Sequence, residues 1–201
     1  MKRISISDDH ALESALKALR NNHVIAAPTE TVYGLMARWN STLAREKIYR
    51  LKHRPTSKRL QMLVASMDNL KGYSLKNTDW IQAIAQKFWP GPLTLVFETQ
   101  DDETIGARIP RHPFVLELIR RLGEPLAATS ANLSGQPPAS TADDAVKALD
   151  GTPELLIDGG VVTVTGGTAS TVASIVNRNL VILREGQITK DELLDTLSNY
   201  P

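Results

Sequence analysis

Apolar positions along the chain fall into short runs whose internal spacing separates helices from strands. Ala11, Leu12, Ala15, Leu16 and Leu19 recur every three or four residues, which predicts a surface helix with one buried face. Asp8 and Asp9 stand before it as candidate caps, and Asn21-Asn22-His23 closes it. Val24 to Ala27 reads as a core strand that stops at Pro28, followed by a loop from Thr29 to Gly34. A second helix is expected from Arg45 to Leu51, ending by Arg54 because Pro55 disfavours helical backbone in the residue before it.

Met62 to Ala65 is a second short strand, and Trp80, Ile81, Ile84, Ala85 and Phe88 form a helical apolar stripe behind Asp79. Trp89-Pro90-Gly91-Pro92 stops that helix. Strands are expected over Leu93–Phe97 and Ile105–Ile109, then a helix carrying Phe114, Val115, Leu118, Ile119 and Leu122 that closes at Gly123. Leu126-Ala127-Ala128 then runs into Thr129-Ser130-Ala131-Asn132-Leu133-Ser134-Gly135-Gln136-Pro137-Pro138, the pattern of a buried strand opening into a ligand-facing loop or a serine-rich turn. A helix over Ala142–Leu149 follows, with strands near Leu155–Ile157, Thr171–Val176 and Leu180–Leu183 and a last helix near Thr189–Leu197. The close pair around Asn177-Arg178-Asn179 suggests a hairpin, so a single α/β domain over residues 1–201 with a mixed sheet is expected.

Composition narrows the chemistry. The chain contains no cysteine, which removes thiol nucleophiles, zinc-thiolate sites and iron-sulfur clusters together. No apolar run reaches membrane-spanning length and the amino terminus does not read as a signal peptide, so a soluble cytoplasmic protein is expected. A formal charge of +1 predicts no global attraction to nucleic acid. That balance conceals a cluster, however: Arg45, Lys47, Arg50, Lys52, Arg54, Lys58 and Arg59 stand against Glu46 alone. If the backbone extends toward Pro55, Lys52 and Arg54 project to one side and face one anion, the lysine as a point charge and the arginine as a fork; the alternative is a solvated basic helix face.

Glycine-rich phosphate loops are missing, His10, His23, His53 and His112 lack metal-ligand spacing, and no Gly-x-Ser-x-Gly elbow surrounds Ser130 or Ser134. Ser130 and Asn132 offer hydrogen bonds rather than attack. Glu30 sits in a polar set leaving a core strand. Arg108, a charge inside an apolar strand, needs either an internal carboxylate or an anionic substrate. Arg184-Glu185-Gly186 and the Gly166-Gly167-Thr168-Ala169-Ser170-Thr171 turn carry the same ambiguity.

Taken together, Pro28-Thr29-Glu30-Thr31-Val32-Tyr33-Gly34-Leu35, Lys52-His53-Arg54-Pro55, Trp89-Pro90-Gly91-Pro92-Leu93-Thr94, Arg108-Ile109-Pro110, Ser130-Ala131-Asn132-Leu133-Ser134-Gly135 and Arg184-Glu185-Gly186 resemble the YrdC-like family in order and spacing. The resemblance implies a twisted open mixed sheet flanked by helices, with a basic concave cleft where ATP, L-threonine and bicarbonate become threonylcarbamoyl-adenylate and pyrophosphate. That product feeds modification of the adenosine beside the tRNA anticodon, through downstream threonylcarbamoyl-transfer proteins. By the same resemblance Lys52, Arg54, Ser130 and Asn132 are the catalytic signature and bind ATP with Ser140, Ser170 and Arg184. Thr29, Thr31, Tyr33 and Arg108 fall to threonine, and Mg2+ accompanies ATP. The sequence departs from the family pattern twice: Lys58 to Ala65 lacks a histidine common near the amino acid, and Met36 replaces a common glycine. A different class of reading is a non-catalytic RNA-binding module that uses the Arg45–Arg59 cluster on phosphates.

Overall fold

The computed structural model describes residues 1–163 and 168–198, so Gly166 and Gly167 of the expected glycine turn lie outside the described residues. β1 (Lys2–Ser5) leads to α1 (Ala11–Arg20), whose Ala11, Ala15, Leu16 and Leu19 are buried as the spacing requires. His10 occupies its N-cap position, and the Asp8 side chain accepts the His10 backbone N–H at 2.8 Å; Asp9 plays no capping part. β2 (Ile25–Pro28) and β3 (Tyr33–Arg38) form an antiparallel hairpin, so the expected loop shrinks to its tip and Tyr33 and Gly34 belong to a strand. Tyr33 to Ala37 are all buried, and a strand covered on both faces shows no polar alternation to betray it.

α2 (Thr42–Leu51) starts three residues ahead of expectation, capped by the Ser41 hydroxyl on the Ala44 N–H. β4 (Gln61–Leu63) precedes an unexpected 3-10 turn at Met67–Tyr73, and α3 (Thr78–Phe88) has Asn77 at its N-cap, which leaves Asp79 inside the first turn. β5 (Leu93–Glu98), β6 (Thr104–Arg108) and α4 (Pro113–Leu122) follow, the last closed by Gly123 at φ +78°, a left-handed conformation that favours glycine. Next come β7 (Leu126–Ser130), α5 (Ala142–Lys147), β8 (Leu155–Asp158), β9 (Thr171–Val176), β10 (Asn179–Arg184) and α6 (Lys190–Ser198). The expected hairpin is present: Asn177 and Arg178 both have φ +52°, the geometry of a tight two-residue turn between antiparallel strands.

Among the described residues ten strands form one mixed sheet in the order β1-β8-β2-β3-β7-β4-β6-β5-β9-β10. Over β8, β2, β3 and β7 both faces are covered. Ile25, Ala27, Met36 and Ala128 pack with residues of α1 and α4, while Ala26, Leu35, Ala37 and Ala127 pack with residues of α2 and α5. Over β4, β6, β5 and β9 only one face is sealed: Met62, Ala107, Leu95, Phe97, Ala173 and Ile175 meet residues of α3 and α6. Their alternates Gln61, Gly106, Thr94, Val96 and Val172 line an open cleft instead. Ala128 touches both environments and pairs with Gln61, so the cleft begins where α1 and α4 stop covering the sheet. A concavity of this kind follows from helix placement on a strongly twisted sheet.

Candidate active site

The cleft has a volume of ≈ 210 Å³, and Arg54, Arg59, Arg108 and Arg184 line it together with Thr31, Ser130 and Ser170. No carboxylate is among its described lining residues. Arg54 reaches it from the turn after α2. Lys52 is the C-cap at φ −104°, ψ −6°, and His53 is left-handed at φ +48°, so the chain reverses and the expected extended approach to Pro55 does not form. The Arg54 N–H bonds the Tyr49 carbonyl at 2.9 Å, and its guanidinium donates to the Lys58 and Arg59 carbonyls at 2.8 and 2.9 Å. Those contacts fix the fork without neutralising it.

Because the turn reverses, Lys52 and Arg54 do not project side by side. Lys52 is 1% exposed, and its ammonium donates to the backbone carbonyls of Ser130 and Asn132, with Asn132 Oδ1 at 3.4 Å. It thus lies behind the loop leaving β7 and ties that loop to α2; the Ser134 N–H returns a bond to the Lys52 carbonyl at 2.9 Å. Burial, and then the Arg54 charge, push its pKa down to about 7. Asn132 turns its amide to the Leu133 and Gln136 carbonyls at 2.8 and 2.6 Å, holding the loop rather than facing the cleft. Ser130 does line the cleft, and its hydroxyl has no protein partner among the described residues.

The far wall is built by β9 and β10. The register shifts between Ile182 and Arg184, a bulge that re-aims Arg184. Its guanidinium grips Ser170: Nε and Nη2 reach the carbonyl at 3.0 and 2.7 Å, and Nη2 reaches the hydroxyl at 3.0 Å. The hydroxyls continue the chain, with Ser170 Oγ 3.1 Å from Thr94 Oγ1, which donates to Gln61 Oε1 at 2.6 Å. Gly186 permits this closeness, since a Cβ there would lie 2.4 Å from the Thr171 nitrogen and 2.6 Å from the Ala169 oxygen. Desolvation, then the Arg108 and Arg54 charges, lower the Arg184 pKa, so three guanidinium groups share one space.

Between these walls, Arg108 is 2% exposed and pairs with Glu30 at 2.6 Å, which answers the sequence ambiguity with an internal carboxylate. Thr31 accepts from both Nη atoms of Arg108 at 3.2 Å. Thr29 spends its hydroxyl inside the hairpin tip, donating to the Val32 carbonyl at 2.8 Å. Tyr33 is fully buried away from the cleft; its hydroxyl donates to the Gly160 carbonyl at 2.8 Å and accepts from the Gly159 N–H at 3.0 Å. Ser140 is also absent from the lining, and its carbonyl accepts the Val162 N–H.

The structure therefore gathers Arg54, Ser130, Ser170, Arg184, Thr31 and Arg108 at one cleft, places Thr29 with Thr31, Arg108 and Ser130 around a small adjoining recess, and sets Lys52, Asn132, Tyr33 and Ser140 behind or beside it. Gln61 and Thr94 were missed. Their signal was faint but readable, since each is a polar residue flanked by buried apolar ones in a short strand. Among the described residues no group of three His, Asp or Glu side chains could hold a metal ion, and no helix is long and apolar enough to cross a membrane.

Comparison with known proteins agrees with the fold. A family model for Sua5, YciO and YrdC proteins, described as Telomere recombination, matches residues 17–186. The Threonylcarbamoyl-AMP synthase of Bacillus subtilis is 38% identical over 197 residues, covering 93% of this chain and 56% of that protein. The Klebsiella pneumoniae protein of the same name is 36% identical over 168 residues, covering 78% of this chain and 86% of its own. The crystal structure of P. abyssi Sua5 complexed with L-threonine superposes with a TM-score of 0.88 at 30% identity, over 99% of this chain and 61% of that one. The chain thus spans somewhat more than half the length of several curated relatives it matches.

Proposed function

Because the chain belongs to the Sua5/YciO/YrdC family, we propose that it makes threonylcarbamoyl-adenylate from ATP, L-threonine and bicarbonate. The amine of threonine and bicarbonate condense to a carbamate with loss of water. A carbamate oxygen then attacks the α-phosphorus of ATP, the bond to the bridging β-oxygen breaks, and pyrophosphate leaves with that electron pair. The reaction supplies its own nucleophile, so the protein's task is alignment and charge stabilisation.

One observation carries the reading: Arg54 and Arg184 face a single cleft with only carbonyl and hydroxyl partners, so their charges are free for a polyphosphate. Ser130 adds an unclaimed hydroxyl between them. Lys52 acts as a positioning residue, holding the Ser130 and Asn132 carbonyls from behind. Thr31 and Arg108 form the amino-acid side of the cleft. Among the described residues the cleft lining has no carboxylate to make a cation site, so Mg2+ enters as the ATP complex, ligated by phosphate and water. The product is a mixed anhydride whose carbamoyl carbon suits transfer to an amine, here the adenosine next to the tRNA anticodon.

Chromatography of the complete mixture should show an adenylate and pyrophosphate in equal amounts. Omission of ATP, bicarbonate or threonine should abolish both. Pyrophosphate release that is indifferent to threonine and bicarbonate would remove this assignment, and salt-sensitive RNA binding without ATP consumption would replace it.

A further inference from the structure

We propose that Glu30 is a positioning residue that cancels the Arg108 charge and so determines where along the cleft the polyphosphate comes to rest. The inference rests on the synthase reading and deepens it. Glu30 is 5% exposed and its Oε1 lies 2.6 Å from Arg108 Nη2. Neither carboxylate oxygen has a well-aligned hydrogen-bond donor, so the residue contributes charge more than hydrogen bonding. At neutral pH no second cation pairs with it among the described residues. The neighbouring His112 imidazole is held below its ordinary pKa by burial, and Lys87 and Arg111 border the cavity behind Glu30 without an ion pair to it.

Arg108 is anchored on three sides, by Glu30, by the Gly91 carbonyl at 3.0 Å and by Thr31. Its Nε donates to Gly91 and both Nη atoms donate to Thr31, while Glu30 supplies the compensating charge. This part of the cleft therefore presents a compensated guanidinium and no net charge. Arg54 and Arg184 are held by carbonyls and a hydroxyl and keep their full charge. A tetra-anionic triphosphate is drawn to those two, while the weakly charged amino acid is left the neutral pair. Without Glu30, Arg108 joins Arg54 and Arg184 as an uncompensated charge, Arg59 being paired with Glu103 at 2.5 Å, and the polyphosphate gains a second register over the amino-acid position.

Inorganic tripolyphosphate is the probe, measured by calorimetry and as an inhibitor of pyrophosphate-coupled turnover. The wild-type protein should bind it and show inhibition that threonine does not relieve. Glu30→Gln should bind it roughly tenfold tighter, as expected for one added partly buried charge, with inhibition now competitive against threonine. Since a lone buried Arg108 can unfold the chain, the Glu30→Gln/Arg108→Gln variant removes both charges and should bind tripolyphosphate like the wild type. A tenfold or greater loss in that double variant, or unchanged affinity and inhibition pattern in a folded Glu30→Gln protein, overturns the assignment of Glu30 alone. A wild-type protein indifferent to tripolyphosphate overturns the synthase reading and this one with it.

Discussion

Lys52 gives the cleft a measurable pH dependence. Its ammonium is buried, and desolvation followed by the Arg54 charge lowers its pKa from an ordinary value of 10.5 to about 7. Between those values the unfolded chain binds a proton that the folded chain has released, so stability rises with pH across that window. The slope is about 1.4 kcal/mol per pH unit for one proton, or at most about 3 kcal/mol from pH 7 to 9. Below pH 7 both states carry the proton and the contribution is flat. Urea unfolding of the wild type and of Lys52→Met at pH 6, 7, 8 and 9 isolates it, because all other titrations are common to both. The wild type should gain on the variant by roughly one such increment per unit above pH 7. Parallel stability curves would refute the reasoning: they would mean that the Ser130 and Asn132 oxygens compensate burial fully and keep Lys52 charged throughout.

Arg54→Ala should lower turnover by about two to three orders of magnitude, as expected for a lost transition-state donor, with an unchanged circular dichroism spectrum. Gly186→Ala should destabilise the protein by about 1–3 kcal/mol, since its Cβ would meet the Thr171 and Ala169 backbone, and should weaken nucleotide binding through Ser170 and Arg184 in a direct titration. Tyr33→Phe should cost about 1–2 kcal/mol in thermal unfolding through the Gly159 and Gly160 backbone groups. Its KM for threonine should stay within twofold; a tenfold rise would return Tyr33 to the amino-acid pocket.

By itself the sequence determined the local elements and the chemical inventory. Helical spacing in α1, α3 and α4, the Gly123 cap and the Asn177-Arg178 turn are signals written within a few residues, where backbone preference and amphipathicity act. The need of Arg108 for a counter-charge was equally visible, because a buried guanidinium is costly wherever it lies. Tertiary structure alone decided which partners met. β3 carried no polar alternation because helices cover both its faces, and Lys52 sank behind β7 because His53 turns left-handed and the Ser130 and Asn132 carbonyls, far along the chain, supply its acceptors. Glu30 neutralises Arg108, and the β10 bulge swings Arg184 onto Ser170, through contacts between separate strands and loops that no local pattern encodes. Electrostatic compensation depends on through-space distance, so the charge map of the cleft emerged only when the strands had found their order.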